Sequence, residues 1–457
     1  MSDEKVLKDL KLLQKDYILI PTDKASNNVT IVCKKLYVGL LNDEVLSSNF
    51  QQVDETEEDI VERHRQFLLS VNIKMQDDNK KIPYLYGTAK QHKTPIAFRF
   101  ITAGNSCSLE QLSINVGICL KSMLKMAKNH SHYVNRFHDR NDYFVIDGHD
   151  EILDFISVNN METGHKSVST FDFSTLYTSI PHSQLKVNLT KFVERIFEIK
   201  EKNYINPNCR TKKAYFSDKK DAIGFSKDML LNCLFYLVDN AYIIHDGVVY
   251  RQVIGIPMGT NSGPHVANVY LHVYEYDYVQ TLINANDKDK LVKLKYVFRF
   301  QDDLISLNDN GIFQEIISFI YPPEMIVSNT NISKCKVSYL DLLISIYQGK
   351  FRVKLFDKRV AYKFKVISYP FLDGNIPEKQ TYGIFISQLV RFCKVNSTIE
   401  GFINDIRDLV NKLAMQGFNI AALRKKFDKF YQGYLDLWGK YGEDIDCDKM
   451  RNIFYID

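Results

Sequence analysis

Hydrophobic and polar positions follow two different periods along the 457-residue chain. A period of two, typical of half-buried strands, occurs in Tyr17–Tyr37, Lys81–Gly104 and Val297–Leu307. Apolar positions at helical spacing predict helices over about 108–130 and in the region after about 380. Because strands and helices fall in separate regions instead of alternating regularly, the pattern predicts an α+β protein.

The last of these strand pairs contains the most unusual feature of the pattern. Val297–Leu307 reads VFRFQDDLISL, so that Asp302 and Asp303 stand between two apolar runs. Inside a strand at least one carboxylate would point into the core, whereas a tight turn between antiparallel strands lets both project from one sheet edge. There the pair could bind a hard divalent cation. An Asx-rich surface hairpin is the alternative interpretation of a lone Asp-Asp pair.

A third carboxylate has similar surroundings. Asp172 ends an apolar run in STFDFSTLYTSIP. If Asp172 and Asp302 end neighbouring strands of one sheet, three carboxylates would converge where two Mg²⁺ ions could lie about 3.5–4 Å apart. Such a site suits nucleotidyl transfer, with Mn²⁺ as the alternative ion. That reaction also needs cations for the triphosphate, and the basic hairpin containing Lys90, Lys93 and Arg99 offers them.

Composition changes this picture only slightly. The chain has 59 Lys and Arg against 55 Asp and Glu, and a net charge of +4 argues weakly for a polyanionic partner. The bases are clustered, however, in Lys128–Arg140, Cys209–Lys213, Gly349–Arg359 and Leu423–Lys429. Each cluster could bind nucleic acid or could be a solvated helix face. At 45% hydrophobic residues the chain is expected to build several cores in two to four subdomains.

The sequence also indicates the compartment. Eight scattered cysteines without a CxxC pair favour reduced thiols over disulfides or a zinc site. The amino-terminal MSDEKVLKDLKLLQKD is amphipathic and charged, unlike a signal peptide. The most apolar stretch, MLLNCLFYLVDNAYII at Met229–Ile244, is interrupted by Asn232, Asp239 and Asn240, so we expect no membrane span. The expectation is a soluble intracellular protein.

Six motifs occur in the order found in reverse transcriptases. They are DKASNNVTIVCK, LYGTAKQHKTP with FRFITAG, DFSTLYTSIP, GIPMGTNSGPHVANVYL, FRFQDDLISL and ISKCKVSYLDLLI. Within that class the chain most resembles the Penelope-like retroelement group, which is related to telomerase reverse transcriptase. The resemblance runs from about Asp23 to beyond Asp341 and more loosely through the tail.

This resemblance implies an α+β right-hand polymerase fold. Fingers would occupy residues 1–165, a palm built on an antiparallel sheet residues 166–345, and a hairpin and helical thumb residues 346–457. Part of the 184–250 insert could belong to the fingers. The implied activity is RNA-directed DNA polymerase, with an RNA template, a DNA primer, dNTPs and two Mg²⁺ ions, and a nuclear location if the gene derives from a retroelement. The alternatives are a domesticated, catalytically silent nucleic-acid-binding protein and an RNA-copying polymerase.

The resemblance also implies roles for individual residues. Asp172, Asp302 and Asp303 would be catalytic and, with the Phe173 carbonyl, would bind the metal ions. Tyr177 falls where the family keeps an aromatic gate against the ribose 2′-hydroxyl. The dNTP-binding set would be Lys90, Lys93, Arg99, Tyr177, Met258 and Gly259. The candidates for protonating pyrophosphate are Lys334 and Lys336. The residues expected to follow the nucleic-acid backbone are Lys354, Lys358, Arg359, Arg424, Lys425 and Lys426.

Three departures from the family pattern are visible. Phe300 replaces the usual Tyr of the YxDD motif, and Met258 stands where many reverse transcriptases have Gln. Neither change removes a carboxylate. Penelope-like elements often carry a carboxyl-terminal GIY-YIG nuclease, whereas the surroundings of TYGIF, Thr381–Phe385, do not match one. We therefore expect a chain that lacks its own nicking activity or is a fragment of a longer one.

Overall fold

A computed structural model describes residues 3–438 except 92, 94, 139, 161–163 and 166, together with 441 and 454. The end of the predicted thumb, after Trp438, therefore lies outside the described residues apart from Tyr441 and Phe454. No helix in the described part of the chain is long and apolar enough to cross a membrane.

The amino-terminal region combines a four-stranded sheet with five helices. Its elements are α1 (Asp3–Asp16), β1 (Tyr17–Thr22), β2 (Ala25–Cys33), α2 (Lys34–Val45), β3 (Phe50–Gln52), α3 (Glu57–Ser70), β4 (Leu85–Lys90), β5 (Ala97–Thr102), α4 (Glu110–Asn135) and α5 (Asp150–Asn159). The sheet has the order β2-β1-β4-β5, and both predicted hairpins are present in it. Only one residue pair, Thr22 with Ala89, links β1 to β4, so the two hairpins meet near their turns.

The middle of the chain forms a second sheet surrounded by helices. Its elements are β6 (Val168–Phe173), α6 (Leu176–Ser179), α7 (His182–Lys200), β7 (Tyr204–Asn208), β8 (Lys213–Ser217), α8 (Lys227–Asp239), β9 (Tyr242–His245), β10 (Val248–Gln252), α9 (Gly263–Asn284), α10 (Lys288–Leu294), β11 (Val297–Phe300), β12 (Asp303–Leu307), α11 (Ile312–Ile320) and β13 (Val327–Asn329). The central sheet is antiparallel, in the order β11-β12-β6-β13. Strands β9 and β10 belong to a separate sheet with β3.

Both faces of the central sheet are covered, which explains its apolar sequence. Phe171 and Phe173 are buried in the largest core, together with residues of α4, α7, α8 and α9. Val168, Ile305 and Leu307 pack on the opposite face in a core shared with the next sheet. Successive strand residues alternate between these two cores. Polar side chains inside these strands, such as Thr170, Arg299 and Ser306, are therefore buried, whereas those at the strand ends reach the surface.

The carboxyl-terminal region consists of a three-stranded sheet and a helical bundle. Its elements are β14 (Lys336–Tyr339), β15 (Leu342–Tyr347), β16 (Lys350–Leu355), a 3₁₀ turn (Lys358–Ala361), α12 (Glu378–Val395), α13 (Ile399–Ala414), α14 (Ile420–Gly433) and α15 (Leu435–Trp438). The bundle has its own core, in which Phe385, Phe402 and Phe430 are almost completely buried. The α+β class, with an antiparallel central sheet and a helical carboxyl-terminal region, is confirmed.

Polar contacts at two places join the bundle and its connecting segment to the rest of the molecule. Asp341, in the β14–β15 turn, accepts a hydrogen bond from His149 Nδ1 at 2.7 Å and forms an ion pair with Arg391 of α12. The connecting segment reaches the β1–β2 hairpin, because Asn28 Nδ2 donates to the Lys365 carbonyl and the Ile367 N–H donates to Asn28 Oδ1, both at 3.0 Å. These contacts link the carboxyl-terminal region to the amino-terminal β1–β2 hairpin.

Candidate active site

The three predicted carboxylates meet at one end of the central sheet. Gln301 and Asp302 form the two-residue turn between β11 and β12, and Gln301 has a φ of 55°. Asp303 begins β12 and is in register with Asp172 of β6. Directly opposed residues of antiparallel strands have Cα atoms roughly 4.5–5.5 Å apart. Since the Phe173 N–H also donates to the Asp302 carbonyl at 3.2 Å, the turn is fixed beside β6.

No side chain in the described part of the chain closely neutralises these carboxylates. The side chains of Asp172, Asp302 and Asp303 have no hydrogen-bond or ion-pair partner among the described residues. Burial raises the pKa of Asp172, and the charge of Asp302 raises it further. The same two causes raise the pKa of Asp303 to about 6. Uncompensated negative charge of this kind suits a bound cation.

The site is open and does not form a closed metal cage. No group of three or more His, Cys, Asp or Glu side chains within the described ranges has the arrangement of a preformed metal centre. Mg²⁺ usually takes one or two protein carboxylates and completes its octahedral shell with water and substrate phosphates. Half-exposed carboxylates at the end of a sheet fit that mode of binding.

Three lysines from different parts of the chain act on the carboxylates from a longer distance. Lys358, Lys24 and Lys93 each lower the pKa of Asp172, opposing the effect of burial. The sequence motifs assigned Lys93 to the triphosphate and Lys358 to the nucleic-acid backbone. Lys24 was missed, since it lies in the β1–β2 turn and only the contact of β1 with β4 brings it to the site.

The predicted triphosphate-binding side chains are grouped around Asp23. Arg99 Nη1 forms an ion pair with Asp23 Oδ1 at 3.0 Å, which fixes the guanidinium. The second carboxylate oxygen of Asp23 is buried without a partner in the described structure. Lys90 lies beside this pair, and burial together with the positive charge of Arg99 lowers its pKa. Lys93, exposed in the adjoining turn, completes a compact cationic group.

Tyr177 lies directly beside the Asp302 turn. Its hydroxyl donates to Gln301 Oε1 at 3.3 Å. Burial raises the pKa of Tyr177 to about 12, and the charge of Asp302 contributes. Its backbone is fixed as well, because the carbonyl accepts a hydrogen bond from the Ile256 N–H at 2.7 Å. The position predicted for the sugar gate is therefore adjacent to the carboxylates and rigidly held.

The glycine-bearing loop between β10 and α9 connects Tyr177 to the end of β5. Gly255 has a φ of 89°, and a Cβ atom there would lie 2.4 Å from the Tyr177 carbonyl oxygen. Gly259 has a φ of 108°, and a Cβ atom there would lie 2.4 Å from the Thr102 carbonyl oxygen. The Met258 carbonyl in turn accepts a hydrogen bond from the Thr102 N–H at 2.6 Å. Only glycine permits both close approaches.

A buried charged network supports the Asp302 turn from below and was not predicted. Arg299 is fully buried and donates to both carboxylate oxygens of Glu275 in α9, which is also fully buried. Arg299 Nη1 donates to the Asn268 side chain at 2.8 Å and to the Gln301 carbonyl at 3.0 Å. The Tyr321 hydroxyl donates to Glu275 Oε1 at 2.7 Å. A lone Arg in the apolar run VFRF was the available sequence signal.

An open cavity of about 780 Å³ extends from Asp303 to the helical bundle. The predicted backbone-binding residues that line it are Lys354, Lys358 and Arg359. From the bundle, α12 and α13 contribute lining residues that include Arg391 and Lys412.

The other predicted basic residues lie away from this cavity. Arg424, Lys425 and Lys426 are on α14, which contributes no residue to the lining. Lys334 and Lys336 are exposed near the start of β14 and do not line it either. Their roles therefore stay predictions.

The fold is that of right-hand polymerases, with fingers, palm and thumb surrounding the carboxylates. The chain is similar to telomerase from Candida albicans, whose structure contains a fragment of telomeric RNA, with a TM-score of 0.56 and 12% identity over 97% of this chain and 66% of that one. It is also similar to apo telomerase from Candida tropicalis, with a TM-score of 0.51 and 11% identity over 97% and 72% of the two chains. The C. tropicalis telomerase with bound RNA gives a TM-score of 0.50 and 10% identity over 92% and 62%.

These similarities show the fold alone. The chain spans just under two thirds of the length of the C. albicans telomerase chain that it matches. No protein-family model and no curated protein sequence matches it.

Proposed function

We propose that this protein is an RNA-directed DNA polymerase that extends a primer 3′-end with deoxynucleotides. One observation carries the proposal: in a right-hand polymerase fold, Asp172 is in register with Asp303, and Asp302 occupies the adjoining turn. Three carboxylates without a close partner at the end of one sheet, of which Asp303 lines the open cavity, suit the binding of divalent cations and a polyphosphate.

The carboxylates Asp172, Asp302 and Asp303, with the Phe173 carbonyl oxygen, are the groups that would hold two Mg²⁺ or Mn²⁺ ions. Such ions, when bound, supply positive charge that favours deprotonation of the primer hydroxyl and stabilises the leaving pyrophosphate. The protein itself contributes position. The hydrogen bond from the Phe173 N–H to the Asp302 carbonyl and the strand register hold the carboxylates in fixed relation before substrate arrives.

The cationic group of the fingers would bind the triphosphate. Arg99 offers a planar fork that is oriented by Asp23, and Lys90 and Lys93 act as point charges. Burial lowers the pKa of Lys90 most, and the positive charge of Arg99 lowers it further, so an anion placed among these side chains would favour the charged form of Lys90. Lys24, which already acts on the pKa of Asp172, would extend the cationic group toward the carboxylates.

Selection of deoxynucleotides would fall to Tyr177. Its ring is fixed at the hydroxyl by Gln301 and at the backbone by Ile256, so it cannot easily move away from a ribose 2′-hydroxyl. Met258 and Gly259, anchored on the end of β5, would lie along the nascent base pair. A clash with a rigid ring discriminates against ribonucleotides without any special hydrogen bond.

The remaining parts of the proposal rest on the comparisons, the sequence motifs and the basic residues of the carboxyl-terminal region. An RNA partner is supported by the bound RNA of the C. albicans telomerase. Membership of the Penelope-like group without a GIY-YIG domain, and a nuclear location, rest on the order of the six sequence motifs. Lys354, Lys358 and Arg359 would contact the duplex backbone along the cleft, and Arg424, Lys425 and Lys426 would do so farther out. Lys334 or Lys336 would protonate pyrophosphate.

Primer extension tests the proposal. Purified protein is given a primer on either an RNA or a DNA template, with dNTPs or rNTPs and Mg²⁺, and duplex binding is measured in parallel. We expect extension of the RNA-templated primer with dNTPs. Asp302→Asn should abolish extension and keep duplex binding, whereas Asp289→Asn, at an exposed carboxylate of α10, should behave as wild type.

Three other outcomes would contradict the proposal. Duplex binding without extension by the wild-type protein would favour the catalytically silent alternative. Preferred extension with rNTPs would indicate an RNA polymerase. Normal extension by Asp302→Asn would remove the assignment of the catalytic carboxylates.

A further inference from the structure

Helix α4 carries a basic track that the proposed catalysis does not use. After its first residue the helix has no Asp or Glu. Its bases recur at helical spacing along one face, at Lys121, Lys125, Lys128, His132 and Arg136. At 3.6 residues per turn these five positions fall within about 80° of arc, and they extend over about 22 Å of helix. All are exposed except Lys128, which is half-buried and paired with Glu151.

Two aromatic rings stand beside this track at the end of the helix. Tyr133 is 64% exposed and Phe137 is 81% exposed. The guanidinium of Arg136 lies over both rings, 4.4 Å from the centre of Tyr133 and 4.6 Å from the centre of Phe137. Rings this exposed add little to the stability of the fold, yet their contact with Arg136 keeps them ordered.

We propose that this face of α4 binds an unpaired polynucleotide strand. The exposed Lys121, Lys125 and Arg136 offer positive charge at intervals along a line, which suits phosphates of one strand, whereas Lys128 is neutralised by Glu151 and Asp147. The rings offer flat faces beside that line, on which bases can stack, with Arg136 as a further stacking surface. A duplex would not use the rings, because its bases are already stacked on each other. An acidic protein would use the charges but would not require two flat rings next to them.

The surface is separate from the catalytic cleft. Near its beginning α4 contacts the glycine-bearing loop, where Ser113 Oγ lies 2.9 Å from Ser262 Oγ. From Ser113 to Asn135 the helix rises about 33 Å. There its end is held by a hydrogen bond from Asn135 Nδ2 to Asp142 Oδ1 at 2.9 Å. A strand bound at this end would lie outside the cleft. The inference does not require catalytic activity.

The test is binding of a labelled ten-nucleotide oligo(U) or oligo(dT) to the full chain, followed by fluorescence anisotropy over a range of salt concentrations. A saturating template–primer hairpin is present so that the cleft is occupied. Tyr133→Ala and Phe137→Ala should each weaken oligonucleotide binding about five-fold or more. Lys125→Glu with Arg136→Glu should flatten the salt dependence by about 0.7 for each phosphate that the protein no longer neutralises. Phe319→Ala, which removes a ring that is 75% exposed on α11, is the matched control and should change nothing.

Crosslinking of an oligonucleotide that contains 4-thiouridine shows where the strand lies, and crosslinks at the end of α4 are expected. Equal affinity of the ring variants and the control would overturn the proposal, as would crosslinks confined to residues that line the cleft. Tight binding of poly-glutamate with the same loss in the variants would assign the face to an acidic protein instead. Comparison of oligo(U) with oligo(dT) distinguishes RNA from DNA as the bound strand. Because catalysis is not the readout, failure of the proposed polymerase activity would leave this result interpretable.

Discussion

Replacing Arg299 should separate two roles that this side chain has in the structure. It is one half of a fully buried ion pair with Glu275, and it also donates to the Gln301 carbonyl in the turn that carries Asp302. The first role concerns the stability of the whole domain. The second concerns only the position of the catalytic carboxylate. Arg299→Met removes the ion pair and the hydrogen bond to the turn. A second substitution, Glu275→Gln, removes the unpaired buried charge and so restores stability, but it does not restore the hydrogen bond to the turn.

The magnitude follows from burial. Both side chains are 0% exposed, and Arg299→Met leaves Glu275 with the Tyr321 hydroxyl as its remaining partner among the described residues. Removing one member of a buried pair costs about 3–5 kcal/mol, because the other charge is left uncompensated. In the double variant Arg299→Met with Glu275→Gln no buried charge remains, and the amide oxygen can still accept from Tyr321. We expect the double variant to recover most of the free energy of unfolding.

Extension activity should behave differently. Neither variant can donate to the Gln301 carbonyl, so the turn loses the hydrogen bond that fixes it from below. A displacement of about 1 Å at a reacting group can cost about 100-fold in rate. We therefore expect kcat for primer extension to fall strongly in both variants, even though the double variant is nearly as stable as wild type. Urea unfolding and single-nucleotide extension at a temperature well below both unfolding transitions measure the two effects.

Two results would refute this reasoning. If the double variant recovers extension together with stability, Arg299 is only a core ion pair and does not position the turn. If Arg299→Met costs less than about 1 kcal/mol, the guanidinium does not form a buried ion pair with Glu275. Arg299→Lys is a useful intermediate, because it keeps the charge but cannot make all the planar contacts of the guanidinium.

Three further predictions concern the gate, its supporting glycine and the attachment of the thumb. Tyr177→Ala should lower the preference for dNTPs over rNTPs by about 1–3 kcal/mol in kcat/KM while Tyr177→Phe keeps it; equal discrimination in the Ala variant would place the gate elsewhere. Gly255→Ala should destabilise the protein and alter sugar selection, because the added Cβ would meet the Tyr177 carbonyl oxygen. Gly247 also has a positive φ, but no atom lies within 4 Å of an added Cβ, so Gly247→Ala should show only the backbone cost of about 1–3 kcal/mol in urea unfolding. Hydrogen bonding to Asp341 raises the pKa of His149, although burial opposes this. Burial would raise the pKa of Asp341, but its hydrogen bonds with His149 and Arg391 lower that pKa to about 2. Their contact should stabilise the protein fully from about pH 4 to 6.5. It should weaken at higher pH as His149 deprotonates, and below pH 4 as Asp341 becomes protonated. The difference in urea midpoint between wild type and Asp341→Asn should therefore shrink above pH 6.5, and a constant difference would contradict this link.

Much of the local structure could be predicted from the sequence. The alternation in Val297–Leu307 indicated two strands, and the adjacent Asp302 and Asp303 indicated the turn between them, because a strand interior cannot hold two charges on opposite faces. The β9–β10 turn is of the same local kind, because its Asp246-Gly247 pair, in which both residues have positive φ, is a pair typical of two-residue hairpin turns. Such features depend on residues close together in the chain, so their physical cause is visible in the sequence itself.

Contacts between segments that are far apart in the chain were harder to predict from the sequence. The sequence offered only the condition that Asp172 and Asp302 end neighbouring strands, and the pairing of β6 with β12 is what places Asp172 opposite Asp303 and beside the Asp302 turn. Lys24 reaches the site because β1 touches β4 near one residue pair, and no periodicity in its own segment indicates this. In the sequence nothing distinguishes Arg299 from other strand residues, and only the packing of α9 places Glu275 against it. The sequence by itself determined the two amino-terminal hairpins, the strands and turn of Val297–Leu307, and which carboxylates could bind a cation, since these depend on local periodicity and on the cost of burying charge; it did not indicate β7, β8 or β13. The tertiary structure alone decided which side chains surround those carboxylates, because contacts between distant segments are set by the packing of whole sheets and helices.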